Sequence, residues 1–462
     1  MRAERIIVRP FDELKVEQYY GLKQVNEHAY AEFKGQIPFE KKEEYFSLGS
    51  KKSWVQIIAI TSEGESILLN GITDNIKMVV KNNTCQMELQ VYSGSKLMDD
   101  VPKKRSFQNK AQTYGEILSV CGEGYDNFAK IMTVGKGETI SQFIMQYKET
   151  DWQFAKRLAS MNNSVLIPDC LTKGEKYYFG LPDRKETVVF GLDEFQWQYD
   201  MEEYRKKKET ELNLAPYDTI THIWESRDVH ELGDWGIIDG QKQVIYKIQS
   251  VMQGGELCHT YYLRTENGLK VPRRYNPSIA GVTLFGKVLK VREEQVQIRI
   301  DGDMNKEGTG MCWFPYATVY SSQNGSGWYC MPEIADKVRL YFPSEREEEA
   351  YVASSCHISG SALRKKPECK FWRNKEGKEI RLEPGEILIT NNDGTYIKLS
   401  DEDGIEIVSE SNITVRSGGT MSMASENESI ELNAPKRVLL KQGDTEMRLG
   451  GDLNLRGARV KL

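Results

Sequence analysis

Along the first hundred residues apolar and polar side chains alternate with a period of two, as from Trp54 to Ile60 and from Met87 to Tyr92. Turns at Ser62-Glu63-Gly64 and Ser93-Gly94-Ser95 separate such runs. This pattern predicts short, half-buried strands, and their number predicts a β-barrel over 1–100. Between Phe107 and Asn163 the period becomes helical. Thr150 caps a helix in which Gln153 reaches back, Phe154 and Leu158 share a face, and Asn162-Asn163 mark the end. A shorter helix is expected over 111–121, stopping at Gly122, so 101–164 is a helical connecting part. Strands return over 165–275 as a second barrel, broken by a polar excursion over 201–211 whose Arg205–Lys208 run is expected to be solvated. After Asn276-Pro277 come about five strands within 276–358, among them 281–288, 295–300 and 337–342, the count of a small five-stranded OB-type barrel. A linker containing Arg364-Lys365-Lys366-Pro367 follows over 359–372.

Residues 373–462 carry a different pattern. Apolar pairs in the i, i+2 relation recur as Ile397/Leu399, Ile405/Ile407, Ile413/Val415, Met421/Met423, Ile430/Leu432, Val438/Leu440, Met447/Leu449, Leu453/Leu455 and Val460/Leu462. The first four pairs stand eight residues apart, and each unit reads as a short strand and a turn. One such unit cannot bury its own two side chains, so units must stack on equivalents. Polar residues between the pairs leave only a thin stripe. Three copies wound together would give that stripe a shared dry axis, a needle of nine or ten rungs roughly 50 Å long. A single-chain parallel β-helix, with coils longer than eight residues, and an ordinary sandwich are the alternatives.

Composition narrows the classes. Of 462 residues, 39% are hydrophobic and 28% charged, enough apolar material for several packed cores. Net charge is −6, with 62 basic against 68 acidic side chains, which gives no overall attraction to nucleic acid or anionic membranes. No signal peptide and no transmembrane run is read, so assembly in the cytoplasm is expected. The eight cysteines show no zinc-knuckle spacing and are expected to be buried, reduced thiols.

Three passages resemble the VgrG and phage late control D family of spike proteins. Ser106-Phe107-Gln108-Asn109-Lys110, followed by Phe143 to Leu158 with its Gln146-Tyr147-Lys148-Glu149-Thr150-Asp151, looks like the family's signature. Gly327-Trp328, Pro332-Glu333 and Asp336-Lys337-Val338 are similar to its OB-domain pattern, with Ala335 where glycine is usual. The eight-residue repeat is the third. The resemblance implies a mainly β protein: two hub barrels with a helical insertion, an OB collar, and an intertwined triple-stranded β-helix. It also implies a homotrimer that meets a hexameric tube protein or tube initiator at the hub end. Further implied partners are baseplate proteins, a PAAR-like tip protein, and the target envelope that the spike pierces. Within the needle, the fourteen residues from Ile397 to Leu449 named above form the expected trimer core. Leu453, Leu455, Val460 and Leu462 would bind the tip protein. Some family members add an enzyme domain, and no room for one is expected here.

No catalytic, cofactor-binding or metal site emerges. His230-Glu231-Leu232-Gly233-Asp234 places Asp where a zinc peptidase needs its second His. Gly135-Lys136-Gly137 lacks phosphate-loop spacing and reads as a turn. Glu345-Arg346-Glu347-Glu348-Glu349 is expected to be a solvated loop. The five histidines contain no i, i+2 pair, and none falls in the needle. The chain is therefore read as structural, without cofactor or nucleic-acid recognition. The alternatives are a cell-wall hydrolase within the hub, or glycan or oligonucleotide binding by the OB barrel through Trp313, Phe314, Tyr316, Trp328 and Tyr329.

Overall fold

The computed structural model describes residues 3–456 and 459, apart from 62–63, 185–187, 189–194, 211, 254, 307–308 and 358–359. The turn expected at Ser62-Glu63 thus lies outside the described residues. The chain divides into two compact units, Met1–Ile358 and Ser359–Leu462.

The period-two alternation of the first hundred residues produces β1 (Ala3–Arg9), β2 (Lys15–Gln24), β3 (Tyr30–Ile37), β4 (Trp54–Thr61), β5 (Gly64–Lys81) and β6 (Thr84–Ser93). They pair antiparallel in the order β1-β4-β5-β6-β3-β2. In β6 every second residue, Cys85, Met87, Leu89 and Val91, is buried. These meet Val8 of β1, Phe33 of β3 and Ile57 of β4 in one core, so the sheet curls over its own apolar face. A helix, α1 (Lys42–Gly49), interrupts the strands. It buries only Tyr45 and Gly49, too sparse an apolar stripe to show in the sequence.

The helical part follows. β7 (Lys103–Phe107) pairs with β9 (Ile144–Glu149), and β8 (Ala129–Met132), β10 (Leu166–Pro168) and β11 (Lys176–Phe179) form a small sheet. α2 (Tyr114–Gly122) and α3 (Asp151–Met161) each begin with a capping box. In α3 the Gln153 amide donates to Thr150 Oγ1 at 3.1 Å and the Thr150 amide to Gln153 Oε1 at 3.1 Å, as the sequence predicts. Phe107, Ile117, Trp152, Phe154, Leu158 and Phe179 make its core.

β12 (Phe195–Tyr199), β13 (Ile220–Ser226), β14 (Trp235–Ile238), β15 (Gln241–Gln253) and β16 (Glu256–Arg264) come next. They are not a separate barrel. β15 pairs with β2 from Lys247↔Gln24 to Met252↔Tyr19, so all eleven strands form one continuous sheet. β15 is thirteen residues long and carries a bulge between Ile245 and Lys247, which lets it pair on both sides while the sheet bends. The polar excursion is a helix, α4 (Met201–Lys208). It is not wholly solvated: Lys207 Nζ donates to the Gly268 carbonyl at 2.7 Å and pairs with Glu203.

Within β16, His259 is 2% exposed. Its Nδ1 lies 2.7 Å from Ser250 Oγ, and Nε2 has no partner. Burial pushes its pKa down to about 3, with Lys23 and His230 adding to the same effect. An unfolded imidazole titrates near 6.5. The unfolded chain therefore takes up a proton that the folded one refuses, and the stability this group contributes is complete above about pH 6.5 and lost as pH falls toward 3. The slope is about 1.4 kcal/mol per pH unit. Burial lowers His28, His222 and His230 in the same direction. Thermal melts are expected to fall between pH 7 and pH 5, and less steeply in His259→Gln.

β17 (Thr283–Arg292), β18 (Gln295–Ile300), β19 (Trp313–Pro315), β20 (Lys337–Tyr341) and β21 (Tyr351–Cys356) pair in the order β19-β18-β17-β20-β21. Tyr316, just past β19, bridges Val352 of β21 in parallel, closing the sheet on itself. Val288, Ile298, Phe314, Leu340 and Phe342 fill the inside. Ala335 precedes β20 with φ +76°, a left-handed conformation that suits glycine. Its amide and the Val288 amide are both locked, to Val288 O and Asp336 O at 2.9 Å. Ala335→Gly should remove roughly 1–2 kcal/mol of Cβ strain against roughly 0.4–1 kcal/mol of added unfolded-chain freedom. A small rise in urea midpoint is the expected reading.

All eight cysteines are free. Cys85, Cys121, Cys170 and Cys312 are buried as expected, but Cys258 and Cys330 are exposed and Cys356 and Cys369 half-buried. Among the described residues, the regular structure of the second unit is strands, apart from one turn of 3-10 helix at Ala362–Arg364. β22 (Lys370–Arg373), β23 (Glu379–Glu383), β24 (Glu386–Thr390), β25 (Tyr396–Ser400) and β26 (Gly404–Val408) form an antiparallel meander, and β27 (Val438–Gln442), β28 (Thr445–Gly450) and β29 (Asp452–Arg456) a second one.

Candidate functional site: a two-faced ribbon and a buried charged joint

The five-stranded meander sorts its side chains between two faces, with Lys370 at the edge of the apolar one, opposite Leu382, and Phe371 and Leu388 among the charges of the other. Register places Trp372 opposite Ile380, Ile380 opposite Ile389, Leu382 opposite Ile387, and Ile389 opposite Ile397. Ile387 faces Leu399, which faces Ile405, and Ile397 faces Ile407. One face is thus an unbroken apolar ladder of nine large side chains, all exposed in the single chain, Ile405 as much as 73%. The other face is a charge lattice. Arg373 and Arg381 hold Glu379 at 3.1 and 2.9 Å, Arg381 also reaches Glu383, and Lys398 lies 3.6 Å from both Glu386 and Asp403. The sheet thus satisfies its charges on one side and leaves its apolar side exposed in the single chain.

The structure distributes the sequence-predicted core residues in three ways. Ile397, Leu399, Ile405 and Ile407 lie on this ladder. Val438 faces Leu449 and Leu440 faces Met447 across β27 and β28, a second ladder of the same kind. Ile413, Val415, Met421, Met423, Ile430 and Leu432 are exposed but lie in no strand, contrary to the repeat's expectation. Over 409–437 no backbone-to-backbone hydrogen bond is made among the described residues. The physical reason is local: each apolar pair sits among Ser, Thr, Asn and Gly, which hold a strand poorly without a neighbour. Of the tip residues, Leu453 and Leu455 lie in β29, opposite Leu449 and Met447. Val460 and Leu462 lie outside the described residues. Sequence reasoning missed Trp372, Ile380, Leu382, Ile387 and Ile389, although their i, i+2 spacing was the signal.

The residues that carry the family resemblance meet at a joint between the helical core and the β17–β21 barrel. Arg157, on α3, is buried and forks onto Glu149, Nε to Oε1 and Nη2 to Oε2, both at 2.8 Å. Its Nη1 donates to Glu347 Oε1 at 2.7 Å and its Nη2 to the Met145 carbonyl at 2.9 Å. Glu347 is 0% exposed, an exception within an acidic run whose other members, Glu345, Arg346, Glu348 and Glu349, are exposed as expected. Burial pushes the Glu347 carboxyl up although Arg157 opposes this. Nearby, Arg105 pairs with Asp151, which also accepts from Gln146 at 3.0 Å and from Tyr125 at 2.8 Å. The Ser106 amide donates to Asp303 at 3.0 Å, the Gly310 amide to Gln108 Oε1 at 2.9 Å, and Asn276 to the Tyr147 carbonyl at 2.8 Å. Phe143 inserts its ring among Phe314 and Phe342. These groups have ion-pair or hydrogen-bond partners, and the arrangement serves to weld two cores.

The alternative sites are placed as follows. His230 lies 4.0 Å from Asp234, whose carboxylate is held by Arg184, while Glu231 pairs with Lys23. Among the described residues, no group of three or more His, Cys, Asp and Glu side chains is arranged to hold a metal ion. Phe314 is buried in the barrel, Trp313 lies under Arg292, and Trp328 and Tyr329 are exposed at a groove of about 350 Å³. No helix among the described residues is long and apolar enough to cross a membrane.

No protein-family model matches this sequence, and no curated protein sequence does. Solved structures do match in fold. The Escherichia coli c3393 protein is a type VI secretion component with structural similarity to the T4 bacteriophage tail proteins gp27 and gp5. It aligns at 13% identity and TM-score 0.55 over 76% of this chain and 100% of its own. VgrG in the half-lidded Francisella PdpA-VgrG complex aligns at 10% identity and TM-score 0.57, over 87% of each chain. The lidless PdpA-VgrG complex aligns at 11% and 0.52, over 87% and 97%. The chain has the fold of the VgrG-like hub-and-spike proteins.

Proposed function

We propose that this chain is the structural hub and spike of a contractile injection machine, and that it works mechanically as a homotrimer. The observation that carries the reading is the bare apolar ladder. A ladder of large apolar side chains left exposed in the single chain, backed by a satisfied charge lattice, fits three copies packed ladder to ladder around one axis. The unpaired backbone over 409–437 fits strands that pair between copies. The likeness in fold to a type VI component and to VgrG supports the same role.

In this reading the eleven-stranded sheet meets the tube, the β17–β21 barrel is an OB collar, and the strands from residue 373 onward form the spike. The parallel closure from Tyr316 to Val352 supports the OB assignment. Leu453, Leu455, Val460 and Leu462 take a PAAR-like tip protein, and the spike is driven through the target envelope by the machine, without catalysis by this chain. Multi-angle light scattering tests it: the purified chain should have three times the chain mass, with 373–456 resistant to trypsin. A folded monomer would end the proposal.

A further inference from the structure

On the solvent side of β17, β18 and β20, register sets three cations in one row. Arg299 is directly opposite Lys287, and Lys287 directly opposite Lys337. In the next row Arg339 is opposite Phe285. Like charges facing each other across strands destabilise a sheet. The side chains of Lys287, Arg299 and Arg339 form no ion pair or hydrogen bond among the described residues. The carboxylates at this edge do not balance them. Asp301 Oδ2 reaches only Lys337, at 3.9 Å, while its carbonyl takes Lys104; Asp336 is held by the Glu333 amide at 2.8 Å. In the middle stands Phe285, 43% exposed, with Lys337 Nζ 4.7 Å from its ring centre.

The charge lattice of the β22–β26 meander shows the contrast, since there each cation has its carboxylate. We propose that the β17–β18–β20 face is a docking surface for an acidic protein partner. Such a surface would supply the carboxylates the row lacks and cover the half-bare ring. Nucleic acid fits less well. Sequence-tolerant strand binding needs open aromatic faces for base stacking, and the one ring here is capped by an ammonium. The inference concerns this face as the single chain presents it.

The test uses the full chain, with light scattering on each sample recording whether it is trimeric, so that failure of the hub-and-spike reading is seen separately. Fluorescent polyglutamate is the probe, followed by anisotropy at 50 and 500 mM salt, beside a twenty-nucleotide oligothymidylate and phosphatidylglycerol vesicles. Wild-type protein should bind polyglutamate at low salt and release it at high salt. Lys287→Glu should weaken binding about tenfold, yet melt no lower than wild type, because a carboxylate between Arg299 and Lys337 relieves the row. Lys206→Glu, on the exposed face of α4 where Lys206 is already paired with Glu202, should bind as wild type. No polyglutamate binding by wild type, or equal binding by Lys287→Glu, overturns the proposal. So does tighter binding of oligothymidylate or vesicles that Lys287→Glu abolishes.

Discussion

Leu399→Asp is expected to leave residues 3–358 folded and to abolish the trypsin resistance of the ribbon, while Lys398→Ala, one residue away, changes little. The two positions lie on opposite faces of β25. Leu399 stands between Ile387 and Ile405 on the apolar ladder. In three copies packed around one axis, an aspartate there places three carboxylates in a dry core with no cation within reach. An unpaired charge buried in that way costs several kcal/mol or more, and here the cost is threefold. Lys398 points the other way, to Glu386 and Asp403 at 3.6 Å. Exposed pairs of that kind contribute about 0–1 kcal/mol. Arg416, Lys436 and Arg437 lie in or beside the strandless stretch, so cleavage there reports directly on whether 409–437 is covered. A Leu399→Asp protein that keeps its ribbon uncut would remove the shared axis from the reading.

The same ladder shows how far the sequence was legible. Period-two alternation found β4, β6 and β18, the Thr150–Gln153 capping box found α3, and the helical period with its stop at Gly122 found α2, because each signal is local and the physics behind it acts within a few residues. Where the signal was weak the element was missed: α1 buries only two of its eight residues. The pairing of β2 with β15 could not be read at all. It joins residues more than two hundred positions apart, and nothing in either strand names its partner. The ribbon was legible as a repeat from residue 373, but the core pairs named for it begin only at Ile397, where the eight-residue spacing starts. Ile380/Leu382 and Ile387/Ile389 lie seven apart and precede it. Glu347 was misread for a different reason. An acidic run is solvated on average, and only the tertiary position of Arg157 singles out one glutamate of the run for burial.

That glutamate sets the second large effect. Arg157→Ala is expected to destabilise residues 3–358 by about 3–5 kcal/mol, the usual cost of removing one partner of a buried ion pair. The guanidinium has four acceptor contacts to lose: two on Glu149, one on Glu347 and the Met145 carbonyl. Its removal leaves the Glu347 carboxyl buried with neither oxygen paired to a cation, since Oε2 has no partner even now. The loss should fall on the seam between the helical core and the β17–β21 barrel, because α3 supplies the arginine and the β20–β21 connection supplies the glutamate. Glu347→Leu combined with Arg157→Met keeps the volume and removes the two most deeply buried charges, leaving Glu149, whose side chain is 12% exposed, to reach solvent. Exchanging a buried pair for apolar side chains is often neutral or stabilising. The double variant should therefore recover much of what Arg157→Ala loses. Urea unfolding followed by tryptophan fluorescence, to which Trp152, buried on α3 five residues before Arg157, contributes, measures both variants. A cost below about 1 kcal/mol for Arg157→Ala would mean that the resembling signature residues do not weld the two cores.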